Sequence, residues 1–413
     1  MAPAPEAPSS ERPGRREIGR GAALALVLGT LTVSLAIGAA IRAPCGDLDR
    51  FFDPGLGARL CYTDITALWA DRRLGGEFPY LEAGNEYPVG TGALMGVTAL
   101  AADDEWEYLL VNEVVLSLAA IVIALLLVRL VGTRALFFTA APGLAVYSFL
   151  NWDLFALALS VGAIAAFLAG SDRAAGALAG IGAAAKIFPG LLVPAFAMER
   201  IRGEDRRAAI RVALWSALGW LALNIPVAAL RPERWAQFFR FNSRRPVDPA
   251  SLWGLGCTER MTGLCPPTGV VNLVSLALFV GGVVWVWRLR VHRQPDFPRW
   301  TFGFALMLLF LLTNKVYSPQ YSLLLLPWFA LVLPDVRRFL LWSAVDVAAW
   351  AATLAFVRQV PGFEGPPFLL VKGLVLARAI ALIWLLVSYV RRPTVPLPRE
   401  VDPPRRADIP RSG

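Results

Sequence analysis

Asp64 stands in the stretch YTDITALW, directly after Tyr62-Thr63, where a helical pattern begins with Ile65, Leu68 and Trp69 on one side. A carboxylate there is placed to act as a general base, or simply to cap the helix. Two lysines are the second candidate element. Among 40 basic residues only Lys186, Lys315 and Lys372 are lysine. An ammonium is a compact point charge suited to phosphate, and at a hydrocarbon edge it must pair, hydrate or snorkel. Lys315 lies in TNKVYSPQYS, between two apolar runs and beside the hydrogen-bonding side chains of Tyr317 and Gln320, with Pro319 placed to keep that tip out of helical register. Asn151-Trp152-Asp153 and Glu86-Tyr87-Pro88 form two further polar tips. Trp152 suits an interfacial anchor, Asp153 a helix start, and Glu86 a contact to a hydroxyl or a cation. The single histidine, His292, sits among Arg290 and Arg293 in a basic loop, so histidine-dependent nucleophilic catalysis is excluded on the opposite face.

The elements that carry these residues are membrane helices. The 413-residue chain is 56% hydrophobic and 17% charged, against about 25% charged residues in soluble domains, and its mean hydropathy is +0.55. Apolar runs near span length recur, and a span needs roughly 20 such residues. The net charge of +9 comes from arginines scattered over short loops. That is orientation by positive-inside bias, with no nucleic-acid partner implied. Arginine clusters at 12–20, 129–134, 173, 200–211, 288–299, 337–338 and 391–392 mark the inner face. Threading the runs between them predicts spans near 21–41, 108–130, 135–150, 154–170, 174–185, 188–199, 209–229, 269–289, 301–313, 321–333, 339–357 and 368–390. This is an all-α polytopic membrane protein of about 12 helices, with one transmembrane unit over 21–390 and Pro/Arg-rich disordered cytoplasmic tails at 1–20 and 391–413. Segment 89–102 is apolar but short and reads as interfacial or re-entrant. Residues 174–199 read as two short helices meeting at Lys186-Ile187-Phe188-Pro189, with Pro189 at the break.

On this map two large outer loops, 42–107 and 230–268, hold all four cysteines. Disulfides persist in oxidising compartments; of the three possible pairings, Cys45–Cys61 and Cys257–Cys265 each close within one loop. Asp47 and Asp49 form a lone D-x-D; these carboxylates, or Glu86, could hold a divalent metal, although no cofactor is required. Asp346 falls inside the eleventh span, an intramembrane acid with no partner evident in the sequence.

In this order the residues resemble the GT-C-type membrane glycosyltransferases, and in particular glycosyltransferase family 87, the polyprenol-phosphate-mannose-dependent mannosyltransferases. The matching pieces are YTD at 62–64, Gly75-Gly76, PY at 79–80, EYP at 86–88, NWD at 151–153, AAAKIFP at 183–189, SLWG at 251–254 and NKVYSPQYSLLLLP at 314–327. The resemblance implies a GT-C-like fold with interfacial helices in the first outer loop, and a plasma-membrane enzyme working on the extracytoplasmic face with both termini in the cytoplasm. It implies transfer of a sugar, mannose in the family, from a polyprenyl-phosphate donor to a lipid or glycan acceptor with inversion. Asp64 becomes the base. Lys186 and Lys315 attend the donor phosphate, and Tyr317, Gln320, Asn151, Asp153, Glu86 and Tyr87 line or support the sugar site. EYPV stands where EYPP is commoner, and the cysteine-bearing part of 230–268 leaves the acceptor open. A glycolipid transporter or flippase is the alternative; the absence of an evident repeat and the gathering of polar residues on one face speak against it.

Overall fold

A computed structural model describes residues 19–46, 62–256, 265–357 and 367–397. Among them are sixteen α-helices, short 3-10 turns and no strand. The helices are α1 Arg20–Arg42, α2 Asp64–Asp71, α3 Val89–Ala99, α4 Glu105–Val131, α5 Leu136–Thr139, α6 Pro142–Tyr147, α7 Asp153–Leu168 and α8 Asp172–Ala185. They continue with α9 Leu192–Arg202, α10 Arg206–Leu230, α11 Pro232–Arg244, α12 Thr268–Arg293, α13 Phe302–Thr313, α14 Leu326–Leu331, α15 Val336–Val357 and α16 Phe368–Arg391. Six segments, containing α1, α4, α10, α12, α15 and α16, are long and apolar enough to cross a membrane.

The remaining predicted spans take other forms. The run at 135–150 is a 3-10 turn at Gly132–Ala135 followed by the short α5 and α6. Gly132 ends α4 with φ 59°, and Pro142, which cannot donate a helical hydrogen bond, starts α6. The 321–333 run is likewise divided, into a 3-10 segment Pro319–Leu325 and the six-residue α14. Together with α13 these pieces form the innermost hairpin. Nine of the twelve residues of α13 are buried, as is every residue of α14. By contrast, only Val271, Val286 and Arg290 of the 26 residues of α12 are buried. Long helices therefore face outward, and the shortest apolar ones fill the centre. The expected break near Lys186 is present: α8 ends at Ala185, Lys186 is extended, and Pro189 opens a 3-10 turn before α9. Segment 89–102 forms α3, whose eleven residues rise about 16 Å, short of a bilayer core of about 30 Å.

Helices α8 and α10 approach closely because Gly180 and Gly219 present no side chain. A Cβ on Gly180 would lie 2.0 Å from the Ser216 carbonyl oxygen, and one on Gly219 would lie 2.7 Å from that of Ala177. Small residues at such crossings let membrane helices pack by backbone contact. Arginine-bearing ends meet at one end of the bundle. Arg290 donates to the Tyr389 and Arg392 carbonyls at 2.7 and 2.6 Å, and Arg392 pairs with Asp335 at 2.8 Å. Glu199 accepts from the Trp300 amide at 3.2 Å.

Candidate active site

Two backbone ties bring the first loop onto the centre. The Asp64 amide donates to the Leu150 carbonyl at 2.8 Å, and Thr63 Oγ1 donates to that of Phe149 at 2.9 Å. Thr63, whose side chain accepts from the Ile65 amide, is the N-cap of α2. Asp64 is the first helical residue, so capping does not consume its carboxylate. Instead it accepts from three side chains. Tyr62 donates to Oδ1, Tyr87 to Oδ2 at 2.6 Å, and Asn151 Nδ2 to Oδ2 at 3.4 Å. Burial, then the charge of Asp64, hold the Tyr87 phenol well above its usual pKa, which keeps it a donor.

The EYP segment is held on α8 and α3. Thr91 Oγ1 donates to the Ala185 carbonyl at 2.6 Å, and the Tyr87 amide donates to Asn85 Oδ1 at 2.9 Å. Tyr80, left-handed at φ 67° and so in a region uncommon for a side-chain-bearing residue, donates its hydroxyl to the Tyr87 carbonyl. Glu86 pairs with Arg72 of the same loop.

Asn151-Trp152-Asp153 is interior. Trp152 is completely buried and donates to Asn112 Oδ1 at 2.6 Å, which excludes a role as an interfacial anchor. Asn151 Oδ1 accepts from the Asp153 amide at 3.0 Å. The buried Asp153 carboxylate makes no other side-chain hydrogen bond among the described residues, and Lys186 Nζ lies 3.1 Å from its Oδ1. That ammonium is also 4.4 Å from the centre of the Tyr87 ring, within cation–π range.

These groups open into a cavity of about 760 Å³ lined by Asp64, Glu86, Tyr87, Asn151, Lys186, Lys315, Tyr317 and Gln320, among others. Eight of the nine residues expected at the catalytic and sugar sites thus share one space, and Asp153 stands behind Lys186. Two of them are placed differently from expectation. Lys315 donates to the Asn242 and Ser243 carbonyls at 2.8 and 3.4 Å, at the C-terminal end of α11. Burial, then repulsion from Arg245, lower its pKa. The Tyr317 hydroxyl is not free for a sugar: it bonds Ser322 at 3.1 Å and Asp346 at 3.3 Å. Gln320 is buried, lines the cavity, and has no hydrogen-bond partner for its Oε1 among the described residues. Pro319 does interrupt helical register, with Ser318 extended before the 3-10 turn.

Asp346 gains partners that the sequence did not reveal. It accepts from Tyr147 at 2.9 Å and Ser322 at 2.7 Å, and Arg378 lies 3.8 Å away. The Arg378 guanidinium stacks 3.6 Å above the Tyr317 ring and lines the cavity. Arg245, Asp248, Phe238 and Phe241 are also lining residues that sequence reasoning passed over. Their signal was present: arginines clustered in 231–245 on the face that the positive-inside rule leaves poor in them. Cys45 and Cys265 are disulfide-bonded; Cys61 and Cys257 lie outside the described residues, as do Asp47 and Asp49. Among the described residues no group of three or more His, Cys, Asp or Glu side chains is placed to hold a metal ion.

The geometry offers a carboxylate held by hydroxyl and amide donors, several cations, and a wall of Phe310, Trp350 and Leu354 in one cavity. It can accept a proton from an alcohol and stabilise an anionic leaving group beside an apolar chain. The family model described as "Glycosyltransferase family 87" matches residues 86–313, more than half of the chain. Among solved structures, the chain is similar to the crystal structure of ArnT from Cupriavidus metallidurans bound to undecaprenyl phosphate. The two are 14% identical over 89% of this chain and 76% of that one, with a TM-score of 0.42. No curated protein matches.

Proposed function

The chain belongs to glycosyltransferase family 87, and from that premise we propose that it transfers a sugar, mannose by the family's habit, from a polyprenyl-phosphate donor to a lipid or glycan alcohol. The observation that carries this reading is the opening of the Asp64 carboxylate into the same cavity as Lys186, Lys315, Arg245 and Arg378. Asp64 takes the proton of the acceptor hydroxyl as its oxygen bonds the anomeric carbon. The bond from that carbon to the phosphate oxygen breaks, and the polyprenyl phosphate leaves as an anion. A leaving phosphate needs no protonating acid, so one carboxylate suffices, whereas inverting glycoside hydrolysis uses two. Displacement in one step inverts the anomeric centre. Cations fixed beside the departing phosphate stabilise the charge that develops there, and Tyr62, Tyr87 and Asn151 aim the base.

The apolar wall, including Trp350 and Leu354 of α15, suits the first isoprene units of a donor arriving from the bilayer. The meeting of arginine-rich ends away from the cavity supports an extracytoplasmic site in the plasma membrane with both termini in the cytoplasm. The test is transfer from radiolabelled polyprenyl-phosphate mannose in proteoliposomes, with other polyprenyl-phosphate hexoses as competitors. Mass spectrometry of glycolipids and glycans from a deletion strain identifies the acceptor. Intact envelope glycans in that strain, together with no transfer in vitro, would sink the reading.

A further inference from the structure

Four cationic side chains line the cavity, and three are already committed. The Lys186 ammonium lies 3.1 Å from Asp153. Arg378 donates to the Ala250 carbonyl and stacks on Tyr317. Lys315 holds the Asn242 and Ser243 carbonyls at 2.8 and 3.4 Å. Arg245 differs. Its half-buried guanidinium makes no hydrogen bond or ion pair among the described residues, yet it lines the cavity. Burial works against its charge, but the Tyr321, Asp248, Tyr87 and Asp64 groups facing it outweigh that effect and keep it cationic.

The position of Arg245 is set by Lys315. Arg245 is the C-cap of α11, its amide bonded to the Phe241 carbonyl at 2.8 Å. On one side of Arg245, the Lys315 ammonium grips the last carbonyls of α11. On the other, the Lys315 carbonyl accepts from the Asp248 amide at 2.9 Å. One residue therefore spans the turn from 242 to 248 that presents the guanidinium. A cation on the C-terminal carbonyls of a helix is also favoured by the helix dipole.

We infer that Arg245 is the residue that binds the donor phosphate and that Lys315 is a positioning residue holding the turn that carries it. This rests on the lipid-phosphate reading of the site. A guanidinium presents a planar fork that meets two phosphate oxygens at once. An uncommitted one can do so with its whole fork and an unpaired charge, whereas Lys186 is neutralised by Asp153, Arg378 shares its fork with the Ala250 carbonyl and lies beside Asp346, and Lys315 already donates to two carbonyls. As the sugar departs, the phosphate gains charge in a place partly shielded from water, where that fork stabilises it most.

The test measures binding of undecaprenyl phosphate, with undecaprenol as control, to the full chain in nanodiscs. Wild type should prefer the phosphate over the alcohol. Arg245→Gln should reduce that preference by about tenfold or more, as expected for loss of charged hydrogen bonds, with an unchanged thermal midpoint, and Arg245→Lys should restore part of it. Lys315→Met should lose a similar factor, and the double variant should lose no more than either single one, because both act through one turn. Two independent clamps would instead give losses that multiply, which overturns the positioning role. Wild-type preference retained in Arg245→Gln overturns the phosphate role while leaving the donor reading intact. No preference in wild type overturns both.

Discussion

The Tyr87 hydroxyl donates to Asp64 Oδ2 at 2.6 Å, while the face of the same ring lies 4.4 Å from the Lys186 ammonium. One tyrosine therefore joins Asp64, the proposed base, to the buried Lys186–Asp153 pair. Because the phenol is pushed well above its ordinary range, it donates to the carboxylate at any pH the enzyme meets. Tyr87→Phe should lower kcat by roughly tenfold, the scale of one hydrogen bond to a charged group, with the donor KM little changed. Initial rates at varied donor concentration separate the two; an unchanged kcat would mean that Tyr62 and Asn151 orient Asp64 unaided.

Asp64→Asn should reduce transfer by about 10²–10⁴-fold, the range for loss of a positioned general base. Since Thr63 caps α2, the substitution should leave folding intact, so elution volume and thermal midpoint should match wild type. Normal transfer by a folded Asp64→Asn protein would place the base elsewhere.

Lys186→Met leaves Asp153 as a buried charge with no counterion. Breaking such a pair costs about 3–5 kcal/mol, so the thermal midpoint should fall clearly. Lys186→Met with Asp153→Asn should recover much of that loss. If the single variant is as stable as wild type, the pair is not structural and Lys186 is held for a ligand instead.

Asp346→Leu removes the acceptor shared by Tyr147, Ser322 and Tyr317 and the counter-charge of Arg378. Unpaired buried donors cost about 1–3 kcal/mol each, so it should destabilise far more than Asp346→Asn, which keeps an acceptor. Equal midpoints for the two variants would show that the hydroxyls find other partners.

Gly180→Leu places a side chain where a Cβ alone would meet the Ser216 carbonyl oxygen at 2.0 Å. Helices α8 and α10 must then separate, and Lys186 at the end of α8 moves with them. Expression and transfer should both collapse, while Gly180→Ala should be the milder defect. Wild-type behaviour of Gly180→Leu would exclude this crossing.

Much of the site was legible in short motifs. Asp64, Glu86, Tyr87, Asn151, Lys186, Lys315, Tyr317 and Gln320 stand out because polar side chains at the ends of apolar runs need a reason to be there, and they do line one cavity. The arginine cluster at 231–245 was a signal in the sequence, but that Arg245 is the member lining the cavity was not legible, nor was Arg378. One sits in an arginine-rich stretch where each residue resembles its neighbours, and the other inside an apolar helix. Only the path of the chain shows that their guanidiniums reach the cavity.

Composition and charge by themselves determined a helical membrane protein, its turn at Lys186 and the gathering of its polar tips, because hydrocarbon excludes unpaired backbone and side-chain polar groups. Which apolar runs are outer helices and which form the central hairpin was decided by tertiary structure. Hydropathy measures dislike of water, and a run facing lipid and a run facing protein satisfy it equally. The same limit applies to Tyr317 and Lys315. Their residue types offered a hydroxyl and a charge to a ligand, and the fold gave the first to Asp346 and the second to the end of α11. Hydrogen-bond partners distant in sequence are fixed only when packing brings them within 3 Å or so.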